Sequence, residues 1–276
     1  MSELDPGILM IVDSLNMAFS FRGRHDYLDN YIRMVDSLRK SYSAGKVILA
    51  SDMGSSSYRK GIYPEYKGNR DEKRALQTPE EAKEFELFLD EFNNVMQSFE
   101  ETSNYPVIRF SKVEADDIAG YIVKTRRHYP ITKIILISSD RDYDLLVAED
   151  VMRFSYVTRK EITKDNWKEH YDWEQEDYIS IKVLQGDSGD NVPGVPGVGP
   201  KKALDLVRSY GTAYDIAANL PIASKYKYIQ NLNAFGADAL MLNYKLMDLL
   251  EFCDEAIGTA NCAKIDEVLQ GYLNGK

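Results

Sequence analysis

The stretch Ile8-Leu9-Met10-Ile11-Val12-Asp13 is a run of apolar residues that ends in a carboxylate, and the pattern recurs twice. Val47-Ile48-Leu49-Ala50 leads into Asp52, and Ile134-Ile135-Leu136-Ile137 leads into Asp140. Short runs of Ile, Val and Leu separated by helix-like segments read as buried strands of a parallel sheet. Ligands of open α/β sheets collect outside the carboxyl ends of the strands. Three carboxylates should therefore meet on one rim. Concentrated negative charge is costly unless a cation sits beside it, so the pattern points to a metal site.

The rest of the chain is consistent with such a core. It has 276 residues, 44% hydrophobic and 28% charged, which suits a globular protein with a large core. No apolar stretch approaches the ~20 residues of a membrane span, and the first residues lack the basic region and cleavage site of a secretory signal. The expectation is a cytoplasmic protein, with Cys253 and Cys262 as reduced thiols rather than a disulfide. His25, His128 and His170 lie far apart, and no Cys/His grouping has zinc spacing. A net charge of −10 argues against nucleic acid only on average. Between Ser55 and Ala75, Arg59, Lys60, Lys67, Arg70, Lys73 and Arg74 face only Glu65, Asp71 and Glu72, so this segment is locally basic.

Periodicity predicts a helix from Asp26 to Tyr42, and the polar residues 54–75 read as a loop or mobile segment. Thr78-Pro79-Glu80-Glu81 is a helix start: an N-cap, proline in the first position and acids in the first turn. The Phe85, Phe88, Leu89, Phe92, Val95, Met96 stripe that follows is read as packing rather than base stacking. A short strand at 106–110, a helix at 114–128 and a strand at 152–157 come next, with Arg126 and Arg127 on a solvated helix end. From Tyr178 the pattern is helical, interrupted by a Gly/Pro-rich run at 189–200.

Further acids cluster in three words. Val113-Glu114-Ala115-Asp116-Asp117 opens a helix, where Glu114 and Asp117 share a face; simple N-terminal capping is the alternative. Ser139-Asp140-Arg141-Asp142-Tyr143-Asp144 follows a strand, and its Asp144 reads equally as a helix cap. Gly186-Asp187-Ser188-Gly189-Asp190-Asn191 would by itself be an Asx-turn loop. Together the candidate ligands are Asp13, Asp52, Glu114, Asp116, Asp117, Asp140, Asp142, Asp187 and Asp190. Oxygen ligands without His or Cys select hard cations, Mg²⁺ or Mn²⁺. So many acids suit two ions, which in phosphodiester hydrolysis sit ~3.5–4 Å apart. Gly194-Val195-Pro196-Gly197-Val198-Gly199-Pro200-Lys201-Lys202-Ala203 offers backbone N–H groups, a helix N-terminus and two lysines to a duplex phosphate.

The ordered motifs IVDSLN, SD, PEYKGNRDEK, VEADDIAGYI, SSDRDYD and QGDSGDNVPGVPGVGPKKA resemble those of the 5′-nuclease family of flap endonucleases and 5′–3′ exonucleases. The likeness covers about residues 8–250. It is greater to the free-standing bacteriophage enzymes than to the domain fused to bacterial DNA polymerase I. It implies a mostly parallel central sheet flanked by helices (a PIN-like 5′-nuclease core), with nuclease residues 1–177 carrying a helical arch at about 54–100. Residues 178–276 would be helical, with a helix–three-turn–helix duplex-binding element at about 178–210, where a monovalent cation such as K⁺ could sit. The nine acids match the family's ligand positions, while Ser14 stands where relatives often have glycine. The resemblance gives Lys67 and Arg70 catalytic roles with Asp13: Lys67 offsetting charge on the scissile phosphate and Arg70 holding it. Tyr66 could stack on an unpaired base. Gly194, Gly197, Gly199, Lys201 and Lys202 would grip duplex DNA.

The implied activity is structure-selective cleavage of DNA near 5′ ends and flap or single-strand/duplex junctions, in replication, by a monomer. RNA annealed to DNA is a further substrate, and the location is the host cytoplasm if the source is a phage. A non-catalytic branched-DNA binder would have lost ligands. A PIN-like RNA nuclease would be shorter and lack the GVPGVGPKKA element. Asp140→Asn or Asp187→Asn should abolish cleavage while gel-shift binding to DNA persists; full activity in an Asp140/Asp142 double variant would remove the metal assignment.

Overall fold

The computed structural model describes residues 3–24, 26–102 and 105–274; His25 lies outside them. The apolar runs form the middle of a six-stranded sheet: β1 (Asp5–Asp13), β2 (Ala44–Ala50), β3 (Val107–Ile108), β4 (Lys133–Ile137), β5 (Val151–Ser155) and β6 (Lys160–Ile162). Their order is β3-β2-β1-β4-β5-β6, parallel throughout except for the antiparallel edge strand β6. Met10, Ile11 and Val12 of β1 are wholly buried, which explains a run without polar alternation. In register, Asp13 lies opposite Ala50 and Val12 opposite Ile137, so the three strands that precede the three aspartates are direct neighbours. The strand order reverses between β1 and β4, and the crevice at that switch point is where side chains from several strands converge.

One face of the sheet is covered by the helices Tyr27–Ser41 and Pro79–Thr102. Phe88, Phe92, Val95, Met96 and Phe99 are buried there, as the stripe predicted. Thr78 and Glu81 form the reciprocal cap: Glu81 N–H donates to Thr78 Oγ1 at 3.2 Å, and Thr78 N–H to Glu81 Oε2 at 2.9 Å. The other face is covered by Ala115–Thr125 and the C-terminal helices Cys253–Ile257 and Thr259–Leu273. Cys253 and Cys262 are free, buried thiols. A separate apolar cluster joins Tyr178–Gln185, Pro200–Tyr210, Ala213–Ala218 and Lys227–Met247. Among the described residues no helix is long and apolar enough to cross a membrane.

Two local readings are corrected. Residues 54–75 are not a loop: they carry the helices Ser57–Ile62 and Gly68–Ala75. Ser56 caps the first, its Oγ accepting Arg59 N–H at 3.2 Å, and long-range pairing rather than helix propensity holds both. Arg126 is not simply solvated, since Nε and Nη2 donate to Asp150 at 2.8 Å each.

One close approach of the C-terminal segment to the core depends on a small residue. A Cβ on Gly120 would stand 2.2 Å from the Leu249 carbonyl oxygen. Gly120→Ala should therefore destabilise the fold by about 1–3 kcal/mol despite alanine's better helix propensity, a loss readable as a lowered Tm.

Candidate active site

Each acid is delivered by the end of an element. Asp13 closes β1, and Asp52 follows β2. Glu114 is the N-cap of Ala115–Thr125, whose first turn holds Asp116 and Asp117. Asp140 caps the 3₁₀ turn Arg141–Leu146, its side chain accepting Asp142 N–H at 2.9 Å. Asp187 and Asp190 belong to the tight turn between Gly186–Asp187 and Val192–Pro193. Carboxylate oxygens of Glu114, Asp116 and Asp117 lie within 4.8 Å of one another. Ser138 Oγ donates to Asp13 at 2.7 Å and accepts Asp140 N–H at 3.0 Å, tying the β1 and β4 ends together. Ala115 N–H donates to Asp52 at 2.7 Å, so the helix N-terminus holds the β2 acid.

The nine acids fall into two classes by their partners. Five are paired with cations. Arg59, 2% exposed, grips Asp117 with two N–H···O bonds of 2.6 and 2.8 Å and reaches Glu114 at 3.2 Å. Lys67 Nζ donates to Glu114 at 2.7 Å and lies 3.8 Å from Asp190, to which Arg70 donates at 2.6 Å. Lys182 donates to Asp142 and lies 3.6 Å from Asp187. The other four, Asp13, Asp52, Asp116 and Asp140, have no ion pair of this kind among the described residues.

Burial raises most of these acids, including Asp117 against the pull of Arg59. Burial raises Asp13, with Asp52 and Asp140 adding to it. Asp116 is raised by burial and by Asp117. Asp140, though exposed at the rim, is raised by desolvation and by Asp142. Asp52 is pushed up to about 6 by burial, against the pull of the Ala115 N–H. Glu114 moves the other way: burial raises it, but Lys67 and Arg59 outweigh that and hold it low.

This donor set fits hard cations. The four uncompensated carboxylates surround a further orphan, Tyr143, 1% exposed, whose hydroxyl has no partner among the described residues. The charges acting on it are Asp13, Asp116, Asp52 and Asp140, in that order. A buried, unpaired hydroxyl amid carboxylates is what a hydrated ion would satisfy.

The nucleic-acid candidates divide differently. Tyr66 is not available for base stacking: it is 2% exposed, packed against the C-terminal apolar cluster. Its hydroxyl lies 3.0 Å from Glu114 and 2.9 Å from Asp190, so its single proton serves one of two acids. Lys67 has φ +56°, a left-handed backbone unusual outside glycine. Its N–H donates to the Asp190 carbonyl at 2.9 Å, which holds the turn and aims Nζ into the acids. Arg70 remains half exposed at 51%. In the glycine-rich loop, Val195 and Val198 are buried anchors. Gly194 serves packing, because a Cβ there would stand 1.9 Å from the Gln185 carbonyl oxygen. Gly197 has φ +79° and Gly199 faces open space at the N-cap of Pro200–Tyr210. Lys201 and Lys202 are exposed beside that N-terminus, Lys202 Nζ donating to the Gly197 carbonyl at 2.8 Å.

The family model described as 5′-3′ exonuclease, N-terminal resolvase-like domain, matches residues 23–172, and that described as 5′-3′ exonuclease, C-terminal SAM fold, matches residues 173–266. The chain belongs to the 5′-3′ exonuclease family. The flap endonuclease of Escherichia phage T5 is 39% identical over 269 residues, covering 96% of this chain and 91% of that protein. DNA polymerase I of Bacillus subtilis (strain 168) is 32% identical over 201 residues, 71% of this chain but 21% of the polymerase. The phage T5 flap endonuclease, solved as a pseudo-enzyme-product complex with DNA and metal ions, superposes with a TM-score of 0.90 at 38% identity, covering 97% of this chain and 99% of that one. The family's nuclease fold and the expected resemblance to phage members of this family are thereby established.

Sequence reasoning missed Arg59, Lys182 and Tyr143. Lys182 left a signal, a lone lysine in the apolar word Tyr178-Ile179-Ser180-Ile181-Lys182-Val183-Leu184. Arg59 left none, since Ser57-Tyr58-Arg59-Lys60 reads as surface. Asp144 turns out to be structural: wholly buried, it is held by Arg153 and the Tyr171 hydroxyl.

A cation must compete with protons for Asp52. Its folded value of about 6 exceeds the ~3.9 of an unfolded aspartate. Its contribution to the stability of the metal-free protein is thus present below pH ~4 and lost as pH rises to 6. Mg²⁺ binding measured by calorimetry should release protons near pH 6, and affinity should fall up to about tenfold per pH unit below that for each displaced proton.

Proposed function

We propose that the chain is a divalent-metal-dependent 5′-nuclease that hydrolyses phosphodiester bonds of DNA near 5′ ends and at flap or single-strand/duplex junctions, acting as a monomer in primer and flap removal during replication. The observation that carries this reading is the meeting of four carboxylates without ion-pair partners with two cations, Lys67 and Arg70, at one sheet rim. Mg²⁺ is the natural ion for all-oxygen ligands, with Mn²⁺ able to substitute. Asp13, Asp52, Asp116 and Asp140 would hold the ions first, joined by Glu114, Asp142, Asp187 and Asp190 as their cations yield. Two such ions lower the pKa of water and offset charge on the phosphate oxygens.

The chain's own groups do the rest. Lys67 and Arg70 exchange their carboxylate partners for the scissile phosphate once the acids are neutralised. Lys67 offers a compact charge where negative charge develops, and Arg70 a planar fork that fixes the phosphate's orientation. Tyr66 retains Glu114 and Asp190 in register from below. Residues 1–177 form the nuclease part with 54–100 as its arch, and 178–276 the helical part. Within the latter, Gly197, Gly199, Lys201 and Lys202 bind duplex backbone, and a monovalent cation such as K⁺ would neutralise phosphate charge there. RNA annealed to DNA fits the same backbone contacts. A phage source would place the activity in the host cytoplasm.

A 5′-labelled flap substrate should be cut at the junction with Mg²⁺ and left intact with EDTA, faster than blunt duplex or single strand. Tight flap binding without cleavage would overturn the catalytic reading. Lys67→Ala should lower kcat by about 10²–10³-fold, the loss typical of one charge-stabilising donor, with metal binding retained.

A further inference from the structure

Asp117 is placed as a ligand but bonded as something else. Its oxygens lie within 4.8 Å of those of Glu114 and Asp116. Yet both are taken by Arg59, through Nη1 at 2.6 Å and Nη2 at 2.8 Å, and the pair is removed from solvent, with side chains 3% and 1% exposed. The same Nη1 reaches Glu114 Oε2 at 3.2 Å, while Nε donates to the Leu246 carbonyl at 2.8 Å. That carbonyl belongs to the last turn of Lys227–Met247. The helix is broken at Gly236, and its part beyond the break, which carries Leu246, also holds the entry to the glycine-rich loop: Asn243 Nδ2 donates to the Val183 and Pro193 carbonyls at 3.0 and 2.8 Å, while Asn231, before the break, donates to the Pro196 carbonyl at 2.8 Å.

We propose that Arg59 is the internal cation of the metal centre: it withholds Asp117 from the ligand set, orients Glu114 within it, and fixes both to the helix that carries the duplex-binding loop. The inference rests on the metal-dependent reading above and deepens it. A guanidinium suits this place because it is always charged and its fork matches a carboxylate edge-on, leaving a third donor for a second acid. Each Asp117 oxygen already receives a short charged bond inside a dry site, so an ion would have to strip a buried arginine of its partner to bind there. Asp116, one residue earlier, carries no such cation. Arg59 touches no reacting atom and is a positioning residue.

The test separates ligand from counter-ion in the full chain. Arg59→Gln alone leaves a buried charge and risks misfolding, so the decisive variant is the neutral pair Arg59→Gln/Asp117→Asn, its folding checked by Tm. Calorimetric titration of Mg²⁺ into the DNA-free protein should give an affinity within threefold of wild type for the pair, whereas Asp116→Asn should lose at least tenfold. With a flap substrate, the pair should show kcat reduced at least tenfold while the half-saturating Mg²⁺ concentration stays within threefold, since Glu114 has lost its guide and not its charge. A pair that loses Mg²⁺ affinity as Asp116→Asn does would make Asp117 a ligand and overturn the inference. Unchanged kcat would overturn the positioning role. Failure of the wild-type protein to take up Mg²⁺ would instead overturn the metal reading and the inference with it.

Discussion

Repulsion among carboxylates at the carboxyl rim of the sheet is the constraint on which the rest of the structure depends. Two unit charges 4 Å apart cost about 4 kcal/mol at the effective dielectric typical of protein surfaces. Nine acids gathered from five places in the chain cannot all stay ionised without help. The structure answers with cations drawn from elsewhere: Arg59, Lys67 and Arg70 from the basic segment, and Lys182 from the helix before the Gly186 turn. The acids these cations do not reach, Asp13, Asp52, Asp116 and Asp140, are raised toward protonation, as is Asp117 by its burial.

The same pairing fixes the basic segment itself. Its helices are short and polar, with little apolar surface to bury. They are held by Arg59 beneath, Tyr66 in the C-terminal apolar cluster, and Lys67 and Arg70 on the acids. The left-handed backbone at Lys67 is tolerated because Asp190 receives its N–H and Glu114 its ammonium. Position of the segment and charge state of the centre are therefore one equilibrium. Neutralising the acids loosens the hold on Lys67 and Arg70, whereas Arg59 and Tyr66, being buried, stay as anchors.

Connection to duplex binding runs through packed elements. The Gly186 turn has Asp187 and Asp190 on one side and, eight residues past Gly186, Gly194 pressed against the Gln185 carbonyl. Beyond its break at Gly236, Lys227–Met247 ties the entry of that loop to Arg59 through Asn243 and Leu246. A duplex seated on Lys201 and Lys202 would thus rest on the same scaffold that orients Glu114, which suits an enzyme selecting substrates by shape at a distance from the bond it cuts.

By itself the sequence determined what short-range physics decides. Continuous apolar runs can only be strands covered on both faces, so β1, β2 and β4 and the convergence of Asp13, Asp52 and Asp140 were legible. So were the Thr78–Glu81 cap and the packing stripe behind it, because both depend on residues three or four apart. Only the tertiary structure decided which acids are left for ions. Asp116 and Asp117 are adjacent and chemically identical, yet among the described residues one has no ion-pair partner and the other is clasped by Arg59, more than fifty residues away. Asp142 and Asp144 are both paired but differ in place: Lys182 holds Asp142 near the rim, whereas Arg153 holds Asp144 wholly buried. Tyr66, a candidate for stacking in the linear reading, is buried by a cluster assembled from residues beyond 180. Charge pairing in a folded interior acts between neighbours in space, and periodicity along the chain carries no record of it.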